Sequence, residues 1–133
     1  MLSLKNKKTV ITGAGSGIGK ATALLFAQQG AVVHLIDISE EQSTATANEI
    51  NNNGGKATAH ICNVAEQQKV IEVFNSIGKV DVLVNSAGVS HIGKADSTSE
   101  EDFERVYKVN VKGVYNAPKI GRASCRERVY SSV

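Results

Sequence analysis

The chain has 133 residues, of which 41% are hydrophobic and 21% charged, with a net charge of +2, two cysteines and one proline. That length suits one domain with an ordinary core and leaves little room for a second, and the composition excludes disordered and fibrous classes. No apolar run approaches the roughly 20 residues of a membrane span, two cysteines cannot make a disulfide scaffold, and so small a net charge gives no reason to expect a nucleic-acid partner.

Met1–Lys8 is too short and polar to be a signal peptide, so the expected setting is a reduced cytoplasm without a membrane partner. Lys7–Thr12 is a short β-branched run that leads into a glycine cluster, as a buried strand would. Ile18, Ala21, Thr22, Leu25 and Phe26 then fall at helical spacing, and Gly30 stands where that helix would stop. Ala31–Asp37 is a second apolar run, ending in an acid. Ser39 with Gln42 three residues on forms a capping box for a weakly amphipathic helix reaching about Asn52. Asn53-Gly54-Gly55 breaks it, and Lys56–Cys62 reads as a third strand.

From about Glu66 to Ile77 a helix places Val70, Phe74 and Ile77 on one face. Val80–Asn85 is a fourth strand, Ser86–Ser97 a loop, and Thr98 with Glu101 caps a helix carrying Phe103, Val106, Tyr107 and Val114. Strands that alternate with helices predict βαβ units and a parallel sheet. Right-handed crossovers make this an α/β, doubly wound sheet of order 3-2-1-4, truncated after the fourth strand and the following helix, with its ligand at the carboxyl ends of the strands.

The loop Thr12-Gly13-Ala14-Gly15-Ser16-Gly17-Ile18-Gly19 joins the first strand to the first helix. Its glycines permit a tight turn and let backbone N–H groups approach a pyrophosphate, which a helix N-terminus also attracts. The spacing G-x-G-x-x-G fails because position 18 is Ile; T-G-x-x-x-G-x-G fits, through Thr12, Gly13, Gly17 and Gly19. Taken alone, such a loop could equally be a plain connection between strand and helix. Asn85-Ser86-Ala87-Gly88 follows the fourth strand, and Asn110-Val111-Lys112-Gly113 lies in the last helix. With these three motifs in order, residues Lys5 to about Ala117 resemble the short-chain dehydrogenase/reductase family and its Rossmann-type fold, although Ser86 stands where the family usually has Asn.

Asp37 ends the second strand, where a carboxylate can accept hydrogen bonds from the adenosine ribose and repel a 2′-phosphate. Neither Ser16 in the loop nor Ile38 and Ser39 after the strand is cationic. NAD is therefore expected over NADP, against the alternative that Asp37 is a solvated strand-end acid. The resemblance implies a cofactor-binding set of Gly13, Ser16, Gly17, Ile18, Gly19, Asp37, Asn63, Val64, Asn85, Ala87 and Gly88. Asn63 and Val64 would lie beside the adenine, with Asn63 replacing the usual Asp, and Asn85, Ala87 and Gly88 would lie along the ribose and nicotinamide. It also implies hydride transfer between nicotinamide and an alcohol or carbonyl substrate, catalysed by a Tyr, a Lys and a Ser, with an Asn completing a proton relay. Only the Asn maps onto this sequence, as Asn110, which could also simply bond helix backbone at a kink.

The Ser and the Tyr-x-x-x-Lys of the family would lie downstream. Tyr130 comes too soon after Asn110 to be that Tyr, and no Lys follows it. One arginine occurs in the first 119 residues and three in the last fourteen. Ile120–Val129 resembles one frame of translated sequencing-adapter DNA, ATC GGA AGA GCG TCG TGT AGG GAA AGA GTG. The chain is accordingly divided into an incomplete NAD-binding domain, 1–119, and a non-native tail, 120–133. So divided, it is expected to be inactive, with Val80–Asn85 left as an aggregation-prone edge and without the partner helix through which homo-oligomers of the family pair. His60 and Cys62 share a face of the third strand, but with His34 and His91 far off in sequence no metal site is expected. His91, in the loop after Gly88, could face substrate or solvent. A non-catalytic NAD-binding module and another Rossmann enzyme, such as a methyltransferase, are the alternatives; 3-oxoacyl, sugar or polyol, and small-alcohol substrates all stay open.

Overall fold

Strand and helix alternate along a computed structural model that describes residues 3–88, 97–113, 115–116 and 125–131. The elements are β1 (Lys8–Thr12), α1 (Gly17–Gln28), β2 (Val32–Asp37), α2 (Glu40–Asn52), β3 (Lys56–Ile61), α3 (Gln67–Ile77), β4 (Val80–Asn85), α4 (Glu100–Tyr107), a π-helical turn (Lys108–Gly113) and β5 (Cys125–Ser131). All strand pairs are parallel, in the order β3-β2-β1-β4-β5. The expected order 3-2-1-4 is present, and β1 lies between β2 and β4.

The fifth strand departs from the expectation of an unpaired β4 edge. Cys125–Ser131 runs beside β4, pairing Leu83 with Val129 and Asn85 with Ser131, with an irregularity between Val80 and Val82. Main-chain groups along an apolar edge are satisfied by any extended segment that reaches them, whatever its side chains. Hydropathy patterning therefore could not reveal this strand.

Burial is nearly continuous along β1 and β4 because both faces of the sheet are covered. Val10, Ile36 and Leu83 point to one side, with Val70, Phe74 and Ile77 of α3. Ile11, Val33, Leu35, Val82 and Val84 point to the other, with Ala23 of α1 and Ala47 and Ile50 of α2. The buried face of α2 also carries Ser43 and Thr46, whose hydroxyls donate to the carbonyls of Ser39 and Gln42 one turn back. Small polar residues satisfied in this way explain why α2 looked weakly amphipathic.

Helix ends follow local chemistry. Gly30 takes φ +91° after α1, and the Ala31 and Gly30 N–H groups donate to Phe26 and Ala27, closing the turn as a Schellman motif. The Ser39 hydroxyl accepts from Gln42 N–H at the start of α2, as the capping box predicts. On α4 the cap is Ser99, one residue beyond the expected Thr98. Its Oγ accepts from Asp102 N–H at 3.1 Å and donates to the Asp102 carboxylate at 2.8 Å. The shift puts Glu100, Glu101 and Asp102 in the first turn, where the helix dipole favours them.

Pairing of β2 with β3 also joins two histidines that are 26 residues apart. His34 Nδ1 lies 2.9 Å from His60 Nε2, with the rings stacked. Burial, then the neighbouring His60 and Lys8, push the His34 pKa down to about 4, and burial lowers that of His60. Both imidazoles are therefore neutral at pH 7, one donating and one accepting. Because the folded state resists protons that the unfolded chain accepts below its ordinary value of 6.5, this contribution is complete above that pH and is lost as pH falls toward 4. Thermal melting is expected to drop by a few degrees between pH 7 and pH 5, and His34→Gln should flatten that slope. A slope unchanged in the variant would show that other groups set it.

Candidate functional site

Parallel strands leave their carboxyl ends facing one side, and the crevice forms where the connections that follow the neighbouring strands β1 and β4 lead away in opposite directions. A cleft of about 560 Å³ opens there, lined by Gly13, Ser16, Gly17, Ile18, Gly19, Ile36, Asp37, Ile38, Cys62, Asn63, Val64, Ser86, Ala87, Gly88, Val109 and Asn110. Every residue nominated from the sequence is in this set except Asn85.

Asn85 lies behind the cleft. It pairs with Thr12 across β1 and β4, is buried, and its Oδ1 accepts from the Thr12 hydroxyl at 3.2 Å. The same hydroxyl oxygen accepts the N–H groups of Ser86 at 3.1 Å and Ala87 at 3.2 Å. One donor and two lone pairs are thereby all used. Thr12 fastens the loop after β4 to the glycine loop, and Ser86 serves through its backbone. Replacing the usual Asn by Ser at 86 leaves that backbone bond intact.

Glycine is required in this loop by close approach. A Cβ on Gly13, which has φ +67°, would come within 2.8 Å of the Ala87 and Ser86 backbone, and one on Gly19 would lie 2.1 Å from the Gly13 carbonyl oxygen. Any side chain at 19 would therefore push α1 away from β1. At Gly17 a Cβ would meet nothing, so the start of α1 faces open space. Ser16, the N-cap residue of α1, makes no side-chain cap bond, and no acid lies in the first turn. In α2 and α4 a serine hydroxyl caps that end. The free N–H groups and positive dipole end of α1 thus remain available to an anion in the cleft.

At the other end of the glycine loop, Asp37 Oδ2 accepts from Gly15 N–H and Oδ1 from Ser39 N–H, both at 2.9 Å. Each oxygen keeps a further lone-pair direction for a hydroxyl. Ile18 and Ile38 flank this region at 69% and 68% exposure, so the cleft presents apolar faces beside its polar groups. The exposed isoleucine straight after a strand-end acid was the signal that Ile38 belongs to the site; read from the sequence, it counted only as a residue without charge.

Beyond β3, Asn63 Oδ1 accepts from Ala65 N–H at 3.0 Å, and the Asn63 carbonyl accepts from Glu66 N–H at 2.9 Å. Asn63 therefore shapes its own turn. Cys62 lines the wall, where burial raises its thiol pKa and nearby Glu66 adds to the rise. It stays protonated at neutral pH, so no thiolate nucleophile is presented. No group of three or more His, Cys, Asp or Glu suited to a metal occurs among the described residues. His91 lies outside the described residues, and no described helix is long and apolar enough to cross a membrane.

Asn110 reaches the cleft from the π-helical turn. A Cβ on Gly88 would lie 3.5 Å from Asn110 Oδ1, so the two Asn-containing motifs meet. The wider turn lets Val109 pack on the α3 side of the core while Asn110 lines the cleft, an arrangement that recurs at functional sites.

Comparison with known proteins gives a consistent result. Residues 7–123 match the family model described as short chain dehydrogenase. An uncharacterized oxidoreductase of Thermotoga maritima is 43% identical over 116 residues, covering 86% of this chain and 46% of the relative. The 3-oxoacyl-[acyl-carrier-protein] reductase FabG of the same organism is 41% identical over 123 residues, covering 90% and 50%. A short chain dehydrogenase/reductase from Burkholderia phymatum, solved in complex with NAD, superposes with a TM-score of 0.92 at 28% identity, covering 98% of this chain and 50% of that one. The chain spans about half the length of the curated relatives it matches.

Thr12→Val keeps the shape of the side chain but removes the acceptor of two N–H groups and a donor to Asn85. It should cost about 2–3 kcal/mol in denaturant unfolding, whereas Thr12→Ser should retain most of the stability. Equal losses in the two variants would mean that the methyl group, and not the hydroxyl, matters.

Proposed function

The chain belongs to the short-chain dehydrogenase family, and from that premise we propose that it is the nucleotide-holding part of an oxidoreductase that moves a hydride between nicotinamide and an alcohol or carbonyl carbon. The supporting observation is the single cleft that gathers Gly13, Ser16, Gly17, Ile18, Gly19, Asp37, Asn63, Val64, Ala87, Gly88 and Asn110 at the carboxyl ends of the strands. The α1 N-terminus there suits a pyrophosphate, and Asp37 suits two ribose hydroxyls while repelling a 2′-phosphate. When bound, the nicotinamide dinucleotide supplies the hydride acceptor or donor. Asn63 and Val64 hold the adenine side, Ala87 and Gly88 border the ribose and nicotinamide, and Asn85 steadies Thr12 from behind.

Asn110, next to Gly88, orients the proton relay of the complete enzyme. The carbonyl-binding Ser and the Tyr-x-x-x-Lys belong to a remainder outside these 133 residues. Residues 1–119 then form the NAD-binding unit, and 120–133 are non-native. The expected partners are a small alcohol or carbonyl compound and, for the whole protein, a second copy of itself, in the cytoplasm. Phe103, Tyr107, Val111 and Tyr115, exposed at four-residue intervals, support the pairing of copies. The 3-oxoacyl reductase among the relatives favours one of the three substrate classes left open without selecting it.

A second reading has its own observation. Cys125–Ser131 pairs with β4 as a parallel strand, with an irregularity between Val80 and Val82, and so covers the β4 edge of a chain that would bind NAD without catalysing. Sequencing the gene beyond codon 117 from an adapter-free amplicon separates the two. A frame that continues into a Ser and a Tyr-x-x-x-Lys supports the enzyme, and a genomic arginine-rich tail leaves the binding module.

Titration calorimetry of the chain with NADH and NADPH is expected to show at least a tenfold preference for NADH, about 1.4 kcal/mol. The double change Asp37→Ser with Ile38→Arg should reverse it. Equal affinities in the unaltered chain would remove Asp37 from its role. Purified, these 133 residues are expected to show no carbonyl reduction above background, since general acid–base help worth about 10²–10⁴-fold is missing.

A further inference from the structure

Asn116 stands outside the glycine loop, Asn85–Gly88 and Asn110–Gly113, yet it is fully buried. Its Nδ2 donates to the Val64 carbonyl at 3.0 Å, and its Oδ1 lies 3.5 Å from Gln67 Nε2 at the start of α3. Val64 is thus gripped through its backbone. Its side chain is held as well, because Gly113 lets the helical backbone come so close that a Cβ there would lie 2.6 Å from Val64 Cγ2. Val64 forms part of the cleft wall at the end of β3, and the Asn63–Glu66 turn fixes it from the opposite side.

We propose that Asn116 is a positioning residue for the nucleotide base: by holding the Val64 peptide, it sets how well the cleft accepts the adenine end of a dinucleotide. This rests on the reading of the cleft as a dinucleotide site. A buried carboxamide confined by two partners has one orientation in which its donor meets a carbonyl and its acceptor meets an amide. The same helical stretch carries Asn110 into the cleft near Gly88. Asn110 and Asn116 thus serve opposite ends of the site, and a loosened Val64 turn should affect the base end first.

Titrations of the full chain with 5′-AMP, NAD and inorganic pyrophosphate test this, because pyrophosphate reads the glycine loop alone. Asn116→Leu, which keeps the branched outline of the side chain and removes both bonds, should weaken AMP and NAD about tenfold and leave pyrophosphate unchanged. Gln67→Met, made at an exposed position that leaves the core intact, should shift AMP in the same direction by a smaller factor, and it decides the matter if Asn116→Leu does not fold. Unchanged AMP affinity in a folded variant, or a parallel loss of AMP and pyrophosphate, would overturn the proposal. If the unaltered chain binds pyrophosphate but neither AMP nor NAD, the dinucleotide reading itself fails and this inference falls with it.

Discussion

One hydroxyl group holds the working end of the sheet together. Parallel strands bond along their length, but at their carboxyl ends the chain must leave in different directions, and nothing in the ladder joins the departing loops. Thr12 Oγ1 supplies that joint, donating to Asn85 and accepting from Ser86 and Ala87. Thr12 is fully buried and Asn85 nearly so, so the bond between their side chains has no water to replace it. The loop after β4 therefore lies close against the glycine loop, close enough that only glycine is accommodated at position 13. The cleft is the space left over once these two loops have been tied.

A second tie crosses from β2. Asp37 uses one oxygen on the glycine loop and the other on the residue that leads into α2. The carboxylate is thus part of the framework of the cleft as well as its negatively charged end. An uncapped helix N-terminus and a carboxylate then face one ligand space from opposite ends of the glycine loop, a charge pattern that suits an anionic bridge attached to a hydroxyl-rich sugar. Charge alone would not discriminate between nucleotides, but fixed charge can. A carboxylate held by two backbone N–H groups cannot easily turn away from an incoming phosphate.

Most of the sheet was legible in the sequence because its strands are β-branched runs bounded by glycine and its best helix, α3, shows a clean face of Val70, Phe74 and Ile77. The cleft residues were legible too, through motifs at regular spacing. Besides β5, three features were not. The start of α4 moved by one residue because Thr98 and Ser99 offer equivalent hydroxyls with acids three residues on, so local chemistry did not decide between them. The His34–His60 contact arises from register between separate strands. Asn116 is a polar residue at the inner face of a helix, where hydropathy predicts nothing, and its meaning comes from a carbonyl 52 positions away.

These misses have a common cause that bears on how the cleft works. Sequence periodicity reports which face of an element is apolar, whereas the site is built from polar ties between elements. Thr12, Asp37 and Asn116 each satisfy a neighbour's backbone group in or beside the sheet, Asn85 accepts the Thr12 hydroxyl, and each removal would break such a bond at a cost of about 1–3 kcal/mol. Such ties cost little when complete and much when broken, so they hold loops in register more sharply than apolar contacts do. The π-helical turn adds a geometric counterpart. Within it Asn110 lines the cleft and Gly113 lies against the Val64 side chain, while Asn116, beyond its end, holds the Val64 carbonyl, so polar and close-packed ties meet at one wall of the site.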